Sequence, residues 1–236
     1  MSRTNNSFKN MKYAIVGQGI GLLISFVSRI IFVRSLGAEY LGLSGLFTNI
    51  LSILSLAELG VGAAIIYSLY KPLAENDTYK IQALMNLYKK AYITIGIIIA
   101  LAGSALVPFL DYLINDMPDI PHIECIYLMF VINSSISYFF SYKRSLIIAD
   151  QKRYIATFYR YGFYFLLNIV QITVLILTGN YILYLLLQII NTFVENIFVS
   201  RKADKLYPFL KENISAKLDK EEKGTIINNI KAMVLH

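Results

Sequence analysis

Residues 154–200 read YIATFYRYGFYFLLNIVQITVLILTGNYILYLLLQIINTFVENIFVS, two apolar runs meeting at Gly179-Asn180, with Arg160 and Glu195 as their only charges. An apolar run of about 20 residues makes a helix of about 30 Å, the thickness of a bilayer's hydrocarbon core. Tyr154–Thr178 and Tyr181–Ser200 both meet that length, and the Gly-Asn pair between them is a turn signal. The stretch therefore predicts two consecutive membrane-spanning helices.

Working outward, charge and Pro/Gly/Asn clusters bound four more runs: Tyr13–Ser35, Leu41–Tyr67, Ala91–Ile114 and Cys125–Ser141. The expectation is an all-α polytopic membrane helix bundle of six transmembrane helices. The second run stays apolar to Tyr70, 30 residues from Leu41. As one helix it would be about 45 Å long, so it must tilt, bend or project, and Gly60 and Gly62 are candidate bend points.

Composition agrees. Of 236 residues 56% are apolar and 16% charged, with mean hydropathy +0.56; soluble domains carry about 25% charged residues. Net charge is +7, yet the basic residues sit in short loops between apolar runs, so membrane topology explains them better than nucleic acid. With the N-terminus inside, 20 of the 22 basic residues fall on the inner side, while Glu39, Asp111, Asp116, Asp119 and Glu124 fall in outer loops. The positive-inside rule then puts both termini in the cytoplasm. Met1–Asn10 is polar and leads into its apolar run without an Ala-x-Ala-like cleavage site, so that run is expected to be a retained helix. One cysteine (Cys125) and two histidines (His122, His236) allow no internal disulfide and no His-rich metal site, so neither metal nor cofactor is expected.

Residues 1–200 thus form the six-helix lobe. Residues 201–225 are charged, with Leu206, Tyr207, Phe209, Leu210, Ile214 and Leu218 spaced for an amphipathic helix on the inner membrane surface; a solvated loop is the other reading. Residues 226–236 turn apolar again, as the start of an incomplete seventh helix. No internal repeat or Gly/Ser-rich linker divides the chain.

Polar residues inside the runs fall in stripes. Arg160, Tyr164, Asn168 and Gln171 share one face, and so do Tyr184, Gln188, Asn191 and Glu195. Gln18, Ser25 and Arg29 align in the first run, Ser44, Thr48, Ser52 and Ser55 in the second, and Asn133, Ser137 and Ser141 in the fourth. Each Ser or Asn alone reads as interhelical glue; the set reads as the wall of a water-accessible cavity. Arg29 and Glu58 either form a buried ion pair or serve separately, Arg29 meeting an anionic substrate through its guanidinium. The candidate substrate-binding residues are Arg29, Arg160, Asn168, Gln171, Gln188 and Asn191. Glu58 and Glu195 are candidates for coupling to an ion or proton. Gly17, Gly19 and Gly21 lie inside an apolar helix, which points to close packing or bending rather than a nucleotide loop. Without a P-loop, nucleophile elbow or paired-carboxylate site, an enzyme is not expected.

The stretch Ser28-Arg29-Ile-Ile-Phe-Val-Arg34-Ser-Leu-Gly37-Ala-Glu39-Tyr-Leu-Gly42 resembles the first hairpin of the polysaccharide-biosynthesis flippases. So does Leu54-Ser-Leu-Ala-Glu58-Leu-Gly60-Val-Gly62, running on to Tyr70-Lys71-Pro72-Leu73-Ala74. They belong to the multidrug/oligosaccharidyl-lipid/polysaccharide exporter superfamily, and the likeness extends through Tyr88-Lys89-Lys90 and the Lys143-Arg144 loop. It implies transport of a polyprenyl-pyrophosphate-linked oligosaccharide from the inner to the outer leaflet, for a surface polysaccharide such as capsule or O-antigen. It also implies a two-lobed exporter with a cationic central cavity, Arg29 within it, and a basic rim (Lys12, Lys143, Arg144, Lys152, Arg153) that captures the anionic head group. Family members have twelve to fourteen spans, so the expectation is a truncated N-terminal lobe, its partners the bilayer, the lipid-linked oligosaccharide and a second transporter half or second copy. A structural or scaffolding membrane protein and a membrane-embedded enzyme of glycan assembly are the competing readings.

Overall fold

A computed structural model describes residues 3–58, 61–114, 118–212, 216–219, 222–226 and 228. Those residues form helices and turns and no strand. Among the described residues the helices run α1 (Arg3–Leu36), α2 (Ala38–Leu54), α3 (Val61–Glu75), α4 (Thr78–Ala105), α5 (Leu110–Leu113), α6 (Ile123–Tyr138), α7 (Tyr142–Ala149), α8 (Arg153–Thr178) and α9 (Tyr181–Leu206), with a further helical stretch at 222–226.

Four of these, α1, α4, α8 and α9, are long and apolar enough to cross a membrane, and α6 with α7 make a fifth span if the pair, bent by 45°, counts as one. The second apolar run departs from the expected single helix. Its first part, α2, ends at Leu54, a 3₁₀ turn follows at Ser55–Glu58, and α3 starts at Val61. At 17 residues, α2 reaches about 26 Å, short of the hydrocarbon core. Part of the cause is visible in its hydroxyls. Ser44, Thr48, Ser52 and Ser55 each donate to the carbonyl four residues back, back-bonding that loosens and bends a helix. Of the two expected bend points, Gly62 lies in the first turn of α3 and Gly60 lies outside the described residues.

Helix ends also differ from hydropathy ends. Asp77 caps α4 by accepting from the Lys80 amide at 2.9 Å, so α4 begins well before Ala91. The α6–α7 break sits at Phe140, whose φ of 68° is left-handed. Asn180 caps α9 through the Leu183 amide at 3.0 Å, and α9 runs past Ser200 to Leu206.

The helices pack around two apolar clusters, one at each end. Near the α3–α4 turn, Ile65, Leu69, Leu84, Tyr88, Leu146 and Ile147 are nearly inaccessible. Near the α8–α9 turn, Phe47, Leu110, Ile126, Tyr127 and Val131 do the same. Small residues bring α4 and α6 together between them: Ser135 Oγ donates to the Gly96 carbonyl at 2.8 Å and the Tyr127 hydroxyl to the Gly103 carbonyl at 3.0 Å. A Cβ at Gly103 would meet Val131 at 2.9 Å.

Outside the clusters, α1 leaves Ile15, Leu22, Leu23 and Phe26 exposed, a surface suited to lipid and costly in water. Its inner side lies along α8. Asn10 Oδ1 accepts from the Tyr154 amide at 2.6 Å and Asn10 Nδ2 donates to the Gln151 carbonyl at 3.0 Å.

Where it is described, the segment after α9 packs against the helix bundle, and residues 222–226 are helical. Pro208–Lys211 is a 3₁₀ turn, and Tyr207, Ala216, Leu218 and Ile226 are buried in the first cluster. The Gln82 amide donates to the Phe209 carbonyl, Asn86 Nδ2 donates to the Ala216 carbonyl at 3.1 Å, and Lys80 pairs with Glu222. Of the expected seventh helix, only Ile226 and Asn228 are described, and the rest lies outside the described residues.

Candidate functional site

Polar stripes from four helices meet in one cavity. It has a volume of about 480 Å³ and is lined by Ser25, Ser28 and Arg29 of α1, Ser44 and Thr48 of α2, Tyr164, Asn168 and Gln171 of α8, and Tyr181, Tyr184 and Gln188 of α9. Helical spacing accounts for the convergence, since residues three, four and seven apart share a face and α1 and α8 run side by side.

The wall is held by its own hydrogen bonds. Ser28 Oγ donates to Asn168 Oδ1 at 2.6 Å, and Asn168 Nδ2 donates to the Tyr164 carbonyl at 2.7 Å. Gln171 Nε2 donates to the Tyr184 carbonyl at 3.0 Å, and the Ser44 and Tyr181 hydroxyls share a bond of 2.6 Å. Asn168 and Gln171 are buried, so their amides shape the wall rather than reach into the space. An aromatic group closes one side, with Phe32 ring centroids 5.7 Å from Tyr181 and 5.4 Å from Tyr184, and Tyr40 at 5.2 Å from Tyr181.

Arg29 is the one charged residue of this lining. It is exposed into this space, and it makes no hydrogen bond or ion pair with any described residue. A guanidinium within a span is costly, up to about 2.5–3.5 kcal/mol at a helix centre by insertion scales, and facing a polar cavity is how that cost is met. The group is always charged and offers a planar fork of donors, the geometry that fits carboxylate or phosphate oxygens two at a time. The Gln188 side chain is likewise without a hydrogen-bond partner among the described residues.

Other sequence candidates lie elsewhere. Arg160 lines an adjoining cavity of about 260 Å³ with Gln18, Gly21 and Tyr161, and Tyr164 borders both spaces. Asn191 is half-buried and lines neither. Glu195 pairs with Arg144 of α7. Arg29 and Glu58 do not pair; Glu58 closes the turn after α2, where its carboxylate and the Tyr92 hydroxyl both lie near Gly62. The basic rim is largely compensated too, Lys143 by Asp204 and Lys152 by Asp150, each at 2.6 Å. Tyr184 belongs to a stripe already read in the sequence, but its ring partners Phe32, Tyr40 and Tyr181 escaped that reading, although Tyr181, three residues before Tyr184, carries the signal for them.

At the Tyr207 end, the phenol donates to Asp150 at 2.7 Å. Burial, reinforced by that carboxylate, pushes its pKa upward and keeps it neutral. Among the described residues no group of His, Cys, Asp and Glu is placed to hold a metal ion. No protein-family model matches this chain, and no curated protein or solved structure matches it either.

Proposed function

We propose that the chain is a six-span lobe of an exporter that flips polyprenyl-pyrophosphate-linked oligosaccharide units across the cell membrane for surface polysaccharide synthesis, with both termini on the cytoplasmic side. One observation carries the reading: an uncompensated Arg29 faces a cavity of about 480 Å³ walled by polar and aromatic side chains of five apolar helices. A pyrophosphate supplies the missing negative charge, and amide and aromatic groups suit hydroxylated rings. Arg29 takes the diphosphate, Gln188 the adjoining polar groups, and Asn168 and Gln171 hold the wall. The broken second run then counts as one span, completing six. A second lobe, or a second copy of the chain, closes the cavity on its open side.

The test is complementation. Residues 1–236 are expressed in a strain lacking its own repeat-unit flippase, and surface polysaccharide is measured with lipid-linked units accumulating inside. Restored export that Arg29→Ala abolishes and Arg29→Lys partly keeps, at equal membrane levels, supports the reading. Stable insertion with neither export nor capture of polyprenyl pyrophosphate by the purified chain contradicts it.

A structural or scaffolding role is the second reading, favoured by the interhelical bonds Ser28–Asn168 and Asn133–Thr192. On that reading Arg29→Ala lowers the amount of folded protein instead of export.

A further inference from the structure

Asp150, Gln151 and Lys152 connect α7 to α8, with Gln151 at a left-handed φ of 57°. Asn10 of α1 holds this connection through the Gln151 carbonyl and the Tyr154 amide. With the last turns of α3 they enclose a cavity of about 840 Å³, whose lining includes Asn6, Tyr70, Lys71, Asp150, Gln151 and Lys152. It shares no residue with the lining of the Arg29 cavity.

Asn6 lies one turn before Asn10 on α1. It is 8% exposed, and its Oδ1 has no hydrogen-bond partner among the described residues. A buried acceptor left unpaired is costly, so it marks a place for a donor. The charged groups on the lining are Lys71, Lys152 and Asp150, an excess of one positive charge. Lys71 meets Glu75 only at 3.9 Å, with the two side chains 81% and 56% exposed, a pairing that holds it weakly. Lys152 gives one of its three donors to Asp150. Asp150 takes that bond and the Tyr207 hydroxyl on the same oxygen, Oδ2, so Oδ1 can accept from a further hydroxyl.

The surroundings are those of a membrane interface. Phe8 and Met11 flank Asn10 and are exposed, as is Tyr70. Tyr70 and Lys71 also line a second cavity, of about 420 Å³, with Tyr67, Pro72 and Leu84, which offers apolar surface next to the polar space. Basic pockets between spans hold anionic lipid heads. We propose that this cavity binds an inner-leaflet anionic phospholipid whose head carries hydroxyl groups. Lys71 and Lys152 meet the phosphodiester, and Asn6 Oδ1 and Asp150 Oδ1 accept from the hydroxyls. One excess positive charge matches a phosphodiester monoanion rather than a diphosphate, which separates this site from the Arg29 cavity. The leaflet follows from the topology proposed above; the binding does not depend on it.

The full chain, purified in neutral detergent, is mixed with phosphatidylglycerol labelled on its tail, and binding is read by fluorescence anisotropy. Three unlabelled competitors are compared: phosphatidylglycerol, phosphatidylethanol (the same charge without hydroxyls) and soluble glycerophosphoglycerol (the same head without tails). Phosphatidylglycerol should compete about fivefold better than phosphatidylethanol, and Asn6→Ala should remove that preference. Lys71→Gln should weaken both lipids about fivefold. Lys90→Gln, at an exposed base of α4 outside the cavity, should change neither. Absence of saturable binding, or a loss in Lys71→Gln no larger than in Lys90→Gln, overturns the proposal. Equal competition by phosphatidylethanol overturns the hydroxyl contacts, and equal competition by glycerophosphoglycerol overturns the lipid assignment. Lys71 is exposed, so its variant tests the site even if Asn6→Ala fails to fold. The assay needs no lipid-linked sugar, so its failure leaves the Arg29 cavity as it stands, and failed export leaves this site as it stands.

Discussion

Gly17 and Gly21 take the Tyr161 ring against the backbone of α1, while Gly19, on another face, meets nothing within 4 Å. A Cβ at Gly17 would come within 2.2 Å of the ring, so Gly17→Ala drives Tyr161 from its rotamer at a cost of about 1–3 kcal/mol. Gly19→Ala gains about 0.5–1 kcal/mol, because it removes a helix glycine where there is room. Thermal midpoints of the two variants should therefore move in opposite directions, and the Gly17→Ala cost should shrink in a Tyr161→Ala background. Three glycines spaced by two already suggested close packing; which two of them do it depends on where α8 lies, and no pattern within α1 states that. Phe140 is a similar case. Its left-handed φ of 68° is unfavourable for a bulky residue, so Phe140→Gly should retain or raise the midpoint, and Phe140→Val should lower it through a loss of about 1–2 kcal/mol in stability. The charges that follow at Lys143-Arg144 had ended the fourth run at Ser141, next to this break, but nothing in the sequence assigned the left-handed turn to Phe140.

Among the elements, the hairpin α8–α9 was the most legible, because Gly179-Asn180 and the Asn180 cap mark its turn as plainly as the apolar runs mark its arms. Other boundaries moved for one reason: hydropathy marks where lipid suits a helix, while backbone hydrogen bonding continues until a capping or breaking residue intervenes. So α1 extends back to Arg3, and α4 back to its Asp77 cap. Conversely, the Ser/Thr ladder of α2 was read as a polar stripe, and its consequence, a helix that stops at Leu54, was missed. The segment after α9 was judged by its own amphipathicity, whereas its partners Gln82, Asn86 and Lys80 lie on α4. Its attachment should depend on pH. The bond from Lys80 holds the Glu222 carboxyl below its ordinary value of 4.5. A depressed folded-state value means the contribution is present above the unfolded value and lost as pH falls through the folded one. Protection factors of the amides across residues 216–226, with exchange referred to the intrinsic rate at each pH, should therefore fall at acid pH below 4.5, and Glu222→Gln should show the lowered protection already at neutral pH. Slow, pH-independent protection in both would contradict the docking role of this pair.

On the scale of the whole molecule, two apolar clusters cap a middle zone in which polar groups are either paired across helices or directed into the cavity. Stripes on single helices were visible in the sequence, since they need only the helical period. The convergence of Arg29, Asn168, Gln171 and Gln188, and the dispersal of Arg160, Asn191, Glu58 and Glu195, depend on helix neighbours and rotations that periodicity leaves open. The central claim is that water reaches this cavity within the apolar spans while the outer faces of the same helices meet lipid. Cysteine accessibility tests it most directly. In a Cys125→Ala background, Ser25→Cys, Thr48→Cys and Gln188→Cys probe the cavity, and Leu23→Cys and Ile176→Cys probe exposed apolar surface. A membrane-impermeant thiol reagent, applied to cells and to inverted vesicles, should label the three cavity positions from at least one side. It should leave the two surface positions unmodified. Cavity positions as refractory as the lipid-facing ones from both sides would contradict the account.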